Sequence, residues 1–513
     1  MDILRKFFKT VAVVTVFAVC EKILGFLYRI FMSRTVGAEG IGIYQVVLSV
    51  FGLLYTFCCS GIPITVSRLM TKYKAEKNKP RVQKVISAGL ALTLTTSIPV
   101  ALFFLILGNK LSFIFTDPRC MDIFLILMPG LVFTSIYSVL RGVFWGNKDF
   151  LPYSVIELLE ELVMIIAGII LIRLSSSVFD GAKKAVIAVL ISYLFSFTLA
   201  TIVFFIRKNK LKNPFSELKP LFLSSAPITV MRTANSLAVS LVSIILPLRL
   251  VASGMSSSVA FESFGAAVGQ AIPLLFIPTT LISSLTLVLV PEISENFYKG
   301  NNLQLKNDIE KSLKIALFIS CVFIPVFFAL GDQIGNVVFK SPECGKYLKA
   351  SAFLMIFMSL SNLTTSMLNS IGKENQTLIY YIISGIFMLL SIWFLPKYIG
   401  VYSLLVGFSF VYGLTTILNL RLLSKNCPEK PVYKKFFALS VLITLPVSLF
   451  GLLAENLFNN FASDFITLLT LGIVLSLATI LLYLVFGLIN LSSFSEKIKK
   501  PLFFKAKTKK ARA

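Results

Sequence analysis

Apolar stretches of about 20 residues recur along the whole 513-residue chain with only short polar breaks between them. Each is long enough to cross a hydrocarbon core of roughly 30 Å. Read as membrane helices they give about fourteen spans, hence an all-α polytopic membrane protein. Hydrophobic residues make up 56% of the chain and charged residues only 14%, with a mean hydropathy of +0.86, where soluble domains carry about a quarter charged. No room is left for a large soluble domain. The N-terminal "MDILRKFFKT" followed by "VAVVTVFAVC" has the look of a signal peptide, but the apolar run continues without a small-residue cleavage site, so it reads as an uncleaved first span.

Forty-nine Lys and Arg against 24 Asp and Glu give a net charge of +25. The basic residues are scattered among the spans and form no single basic aromatic face, so nucleic acid is excluded as a partner. They follow an alternation. Arg5, Lys6 and Lys9, the loops "KYKAEKNKPR", "RKNKLKNPFSELK" and "RLLSKNCPEKPVYKK", and the tail "EKIKKPLFFKAKTKKARA" are rich in Lys and Arg, whereas "VASGMSSSVA" and "NLFNNFASDF" have none. The positive-inside rule then places both termini in the cytoplasm of a multi-pass cell-membrane protein, with the basic loops against anionic lipid. A monomer is expected.

The chain also repeats. "SIPVALFFLILGNKLSFIFTDPRC" parallels "FIPVFFALGDQIGNVVFKSPEC", and "GNKD" parallels "GKEN". From Pro99 the steps to Gly108, Pro118, Cys120 and Gly146 are 9, 10, 2 and 26, and from Pro325 to Gly331, Pro342, Cys344 and Gly372 they are 6, 11, 2 and 28. The expectation is two pseudo-symmetric six-helix lobes of common orientation, residues 1–210 and 211–425, then two further helices in 426–495 and a basic cytoplasmic tail at 496–513. Paired lobes of this kind flank a central site.

Charges at membrane depth are costly, roughly 2.5 to 3.5 kcal/mol each at the bilayer centre, and face polar interiors. Lys22 and Arg29 fall within about 20° of each other on a helix and about 10 Å apart along it, a ladder suited to an anion moving along the membrane normal. A structural ion pair is the alternative. Glu21 lies on an adjacent face. Glu157, Glu160 and Glu161, at i, i+3 and i+4, are expected on one face, with Arg141 a partner in the same half and a gating or ion-coupling role. Arg232 is the cationic candidate of the second half, either for substrate or for a hydrogen bond between helices. Arg249 snorkels or joins the cavity, and the next span begins with Glu262 and carries Gln270 deeper.

Several chemistries drop out. No histidine is present and the seven cysteines show no ligand spacing, so neither metal nor cofactor is expected beyond a coupling ion or the membrane potential. No G-x-x-x-x-G-K-[ST] loop handles ATP, and "GAEGIG" is a turn between spans. Without a long outer loop an acid–base dyad has no scaffold, so the chain is not expected to be an enzyme.

The strings "ILGFLYRIFMSRTVGAEGIGIYQ", "GIPITVSRLM", "LRGVFWGNKDFLPYSVIELLEELV", "LPLRLVASG" and "IPTTLISSLTLVLVPEISE" resemble, in wording and order, the stage V sporulation protein B/polysaccharide biosynthesis group. That group is a branch of the MATE-like multidrug/oligosaccharidyl-lipid/polysaccharide exporters, to which the lipid II flippase MurJ also belongs. The resemblance implies a fourteen-span, two-lobed flippase that moves an undecaprenyl-pyrophosphate-linked saccharide, such as a peptidoglycan or spore-cortex precursor, to the outer leaflet by alternating access. It further implies association with cell-wall synthesis proteins. It carries a cationic cavity role to Lys22, which stands where the family has arginine, and to Arg29 and Arg34 through "YRxxxSR". Glu160 matches the family carboxylate eight residues past Pro152. The last two spans would line a groove for the polyprenyl tail. A cation-coupled multidrug exporter, using Glu21 or Glu160, or an exporter of another lipid-linked polysaccharide, is the alternative.

Overall fold

The computed structural model of the chain describes residues 2–427, 429, 432–458 and 463–488, and among these no strand forms. The basic tail at 496–513 lies outside the described residues.

In chain order the helices are α1 (Asp2–Cys59), α2 (Ile62–Ala75), α3 (Lys79–Leu107), α4 (Arg119–Ile126), α5 (Met128–Gly146), α6 (Phe150–Arg173), α7 (Val178–Ile206), α8 (Phe215–Ala252), α9 (Ser257–Phe264), α10 (Ile272–Tyr298), α11 (Asn302–Ala329), α12 (Gly331–Ile334), α13 (Pro342–Ser351), α14 (Leu354–Ser370), α15 (Glu374–Phe394), α16 (Pro396–Ile399), α17 (Ser403–Phe408), α18 (Thr415–Asn426), α19 (Lys434–Phe458) and α20 (Asp464–Val485). Gly265–Ala271, Gly335–Phe339 and Ser409–Leu414 wind as π-helix between them.

Eleven helices among the described residues are long and apolar enough to cross a bilayer, and twelve if α13 and α14, bent by 60°, form one broken span. Two elements explain why this falls short of the number of apolar windows. A straight helix of 58 residues would be about 87 Å long, nearly three bilayer cores. α1 avoids that length by breaking at Gly37, whose φ of 75° and ψ of 179° suit only a residue without a side chain. α6 has span length at 24 residues, but Glu157, Glu160, Glu161 and Arg173 take it outside a purely apolar count.

Interior prolines at Pro99, Pro220, Pro227, Pro247, Pro325 and Pro446 are carried within helices, as membrane helices allow where neighbours satisfy the freed carbonyls. Left-handed backbone recurs at spaced positions: Gly37 and Gly254 are 217 residues apart, Lys77 and Gly300 are 223 apart, and Lys148 and Gly372 are 224 apart.

Contacts divide the chain into two units. The first holds residues up to Leu274 with 335–347 and 385–408. In it α2, α3, α5 and α8 bury Val66, Met70, Val85, Val143, Phe144 and Leu221, and α1 packs along α6 through Tyr28, Met32 and Ile172. The second unit holds 275–334, 348–384 and the chain from Ser409 on. Its α11, α19 and α20 pack through Ala329, Leu330, Leu471 and Leu475. Apolar lipid gives no hydrophobic drive for helices to associate, so close packing and interhelical hydrogen bonds hold them. Here Ser320 Oγ lies 2.6 Å from Ser359 Oγ, and Asn419 Nδ2 donates to Thr365 Oγ1 at 2.9 Å.

Candidate functional site

The charged residues of α1 fall into two environments within the first unit. Around the break at Gly37, α1 meets α9 and the π-helical Gly265–Ala271 at backbone distance. A Cβ on Gly265 would sit 1.9 Å from the Ala38 carbonyl, and one on Gly42 would sit 2.2 Å from that of Phe261. Side chains of α1 then serve carbonyls of the π-helical segments. Arg29 Nη1 donates to Gly269 O at 2.7 Å. Ser33 Oγ donates to Phe339 O at 2.7 Å and accepts from the buried Gln270 Nε2 at 2.8 Å. Arg34 donates through Nε to Val338 O at 3.0 Å and through Nη2 to Val337 O. Two cations expected on substrate are thus engaged with backbone, in segments whose π winding is frequent at functional sites.

Further along α1, where it packs against α6, lies a polar cavity of about 270 Å³ lined by α1, α5, α6 and α7 through Leu48, Phe51, Gly52, Tyr55, Thr134, Tyr137, Arg141, Glu157, Glu160 and Tyr193. Arg141 Nη1 pairs with Glu157 Oε1 at 3.1 Å, Nη2 lies 3.5 Å from Tyr55 Oη, and the guanidinium stands 5.2 Å over the Trp145 ring. Arg141 Nε and Tyr137 Oη are buried without a hydrogen-bond partner among the described residues. A partnerless buried donor in a polar cavity is a place for water or ligand. Glu160 lines the same cavity, and Glu21 lies within electrostatic reach of Glu157, Lys22 and Arg141.

The three glutamates of α6 do not share one environment. Adjacent residues point 100° apart on a helix, so Glu160 enters the cavity while Glu161 turns to α1. A Cβ on Gly25 would come within 2.9 Å of Glu161 Oε1, so the absence of a side chain there leaves space for the carboxylate. Glu161 therefore belongs with Glu21 and Lys22.

Lys22 and Arg29 are likewise separated. Lys22 is exposed, with no hydrogen-bond or ion-pair partner among the described residues, and so is Arg232 on α8. Arg249 donates through Nε to Trp393 O at 2.8 Å and stacks 4.9 Å over the Trp393 ring. Glu262 is exposed on α9, three residues before the π-helical turn. The sequence reading missed the tyrosines at 55, 137 and 193, although a tyrosine inside an apolar span is itself a signal, since its hydroxyl needs a polar neighbour. It also missed Glu217, which is buried and accepts from Tyr73 Oη at 3.0 Å and Arg81 Nε at 2.8 Å.

Residues 7–297 match the family described as polysaccharide biosynthesis protein. The chain is similar to the stage V sporulation protein B of Bacillus subtilis (strain 168), at 24% identity over 366 residues, 69% of this chain and 71% of that protein. It is also similar to the lipid II flippase MurJ of the same organism, at 23% identity over 409 residues, 74% and 75% of the two chains. A solved structure titled lipid II flippase MurJ, inward closed conformation, superposes with a TM-score of 0.68 at 16% identity, covering 95% of this chain and 100% of that one. The fold is shared.

Proposed function

Since the chain belongs to the polysaccharide biosynthesis protein family, we propose that it is a flippase for an undecaprenyl-pyrophosphate-linked saccharide, a peptidoglycan or spore-cortex precursor, working by alternating access in a bacterial cell membrane. The relatives named for lipid II transport and for sporulation support the substrate class. The observation that carries the reading is the pair of unpartnered exposed cations, Lys22 and Arg232, on membrane-length helices α1 and α8 that pack together. Lys22 is 15 residues from Gly37, about 22 Å along the helix, which is inside the hydrocarbon core. Its ammonium has Glu21 and Glu161 within electrostatic reach but no hydrogen bond to either, so its donors stay open to water or an anion rather than lipid, and a pyrophosphate is such an anion.

In this proposal Arg29 and Arg34 join the cationic path when α1 leaves the π-helical carbonyls, and Arg249 stands at its end. The Arg141–Glu157 pair, with Glu160, Glu161, Glu21 and Glu262, gates or couples the movement. Counting α1 as two spans and α6 as one brings twelve to fourteen, in two six-helix halves with a C-terminal pair, and the recurring left-handed turns support those halves. The basic loops support cytoplasmic termini. Pyrophosphate leaving an inside-negative cell would be driven by roughly 2.3 kcal/mol per charge per 100 mV. The reading assigns no bond-making chemistry to the chain.

The test is mass spectrometry of lipid-linked intermediates in a deletion strain lacking redundant flippases. Accumulation of the complete lipid-linked precursor on the inner leaflet is expected. Normal precursor levels with normal arrival at the outer leaflet would sink the proposal.

A further inference from the structure

Among the described residues four other than glycine hold left-handed backbone, and all are lysines: Lys77 at φ 56°, Lys148 at 58°, Lys208 at 54° and Lys340 at 54°. An L side chain resists that region because its Cβ crowds the following carbonyl, and glycine is the ordinary solution. Glycine is what the related turns use, at Gly300 with φ 72° and Gly372 with φ 76°. Lys77, Lys148 and Lys208 close α2, α5 and α7 at one end of the first unit, while Lys340 lies before α13, at the opposite end by topology.

The three turns are stitched together. Lys74 Nζ, near the end of α2, donates to Gly146 O at 3.1 Å and also to Asn147 Oδ1. Arg207 pairs with Asp149 at 3.0 Å. The backbone N–H of Lys212 donates to Ser87 Oγ at 2.8 Å. Segments 72–84, 146–149 and 207–219 carry twelve basic residues against Glu76, Asp149 and Glu217. Ion pairs consume two of the three acids in these segments. Asp149 is spent on Arg207, and Glu217 is buried under Arg81 and Tyr73. Lys77, Lys148 and Lys208 are exposed, and their side chains have no partner among the described residues.

We propose that this end of the first unit is a binding face for the phosphodiester headgroups of anionic phospholipid, with Lys77, Lys148 and Lys208 as its contact residues, kept at strained turns because the ammonium is needed there. The face requires only that this end lie at a membrane surface, so it stands whether or not the flippase reading does. Each surface lysine near anionic lipid contributes about fivefold to affinity, and three contribute about a hundredfold.

The test is titration of the purified full chain with phosphatidylglycerol and with phosphatidylcholine, followed by native mass spectrometry, beside its melting temperature. The wild type is expected to retain phosphatidylglycerol over phosphatidylcholine. K77G/K148G/K208G should weaken phosphatidylglycerol binding about a hundredfold while melting at the same or a higher temperature, since glycine relieves the turns. K77R/K148R/K208R should keep the preference. Unchanged phosphatidylglycerol binding in the glycine variant, equal retention of phosphatidylcholine by the wild type, or displacement of the lipid by millimolar inorganic phosphate would each overturn the proposal.

Discussion

Replacing Glu157 by Gln removes the ionic partner of Arg141 and leaves the guanidinium with Tyr55 Oη at 3.5 Å, the Trp145 ring at 5.2 Å and an Nε already unpartnered. At the 3.1 Å separation of the pair, with an effective dielectric of about 20, the direct attraction is roughly 5 kcal/mol. Desolvation of the two ions offsets much of that, so the net worth of the pair is smaller than the cost of breaking it from one side. Each side chain keeps 23% of its exposure, which lets water in the cavity relieve part of the stranded charge. Glu157→Gln and Arg141→Met are each expected to cost about 3 kcal/mol. The double variant should cost about 4 kcal/mol, because the second change then removes a charge already stranded, leaving a coupling of about 2 kcal/mol. Reversible unfolding in mixed detergent micelles across the four proteins measures this. Single costs that add to within about 0.5 kcal/mol in the double variant would show that the two groups do not act as a pair.

Gly265→Ala places a methyl 1.9 Å from the Ala38 carbonyl, so it should force α1 from the π-helical turn and lower the melting temperature clearly, whereas Gly52→Ala, with open space around it, should leave it unchanged. Equal effects from the two would refute the close approach. Asp117, in the loop before α4, is pushed up by burial but pulled further down by hydrogen bonds from Arg119, so its folded carboxyl titrates below its unfolded value of about 4. Its stabilisation is therefore complete above that value and lost as pH falls through the folded one. The difference in melting temperature between wild type and Asp117→Asn should stay constant from pH 7 to 5 and shrink only below about pH 4, and a difference that fades between pH 7 and 5 would contradict the assignment.

Helix class and the polar breaks could be read from the sequence because hydropathy in a membrane is set locally, by length and transfer free energy. The turn at "GAEGIG" was legible for a similar reason, since Gly37 supplies the left-handed break. Arg141 and Glu157 stand 16 positions apart across a short turn, close enough for chain direction alone to suggest their 3.1 Å pairing. The engagement of Arg29 and Arg34 had no local signal. Their acceptors lie 240 and more than 300 residues away, on carbonyls freed by π turns that tertiary packing creates. Glu160 and Glu161 were assigned one face because i+3 and i+4 both neighbour i. The 100° between consecutive residues decides where each one goes, and only the positions of α1 and α7 show that the two environments differ.

Translocation by the purified protein tests the central claim most directly. Proteoliposomes carrying a fluorescent undecaprenyl-pyrophosphate-linked saccharide report its arrival in the opposite leaflet. The wild type is expected to speed that arrival well beyond empty vesicles. Lys22→Glu with Arg232→Glu should slow it at least about tenfold, the loss expected for one charge-assisted contact, at unchanged melting temperature. Arrival at the empty-vesicle rate with folded wild-type protein, or full speed in the charge-reversed variant, would contradict the account.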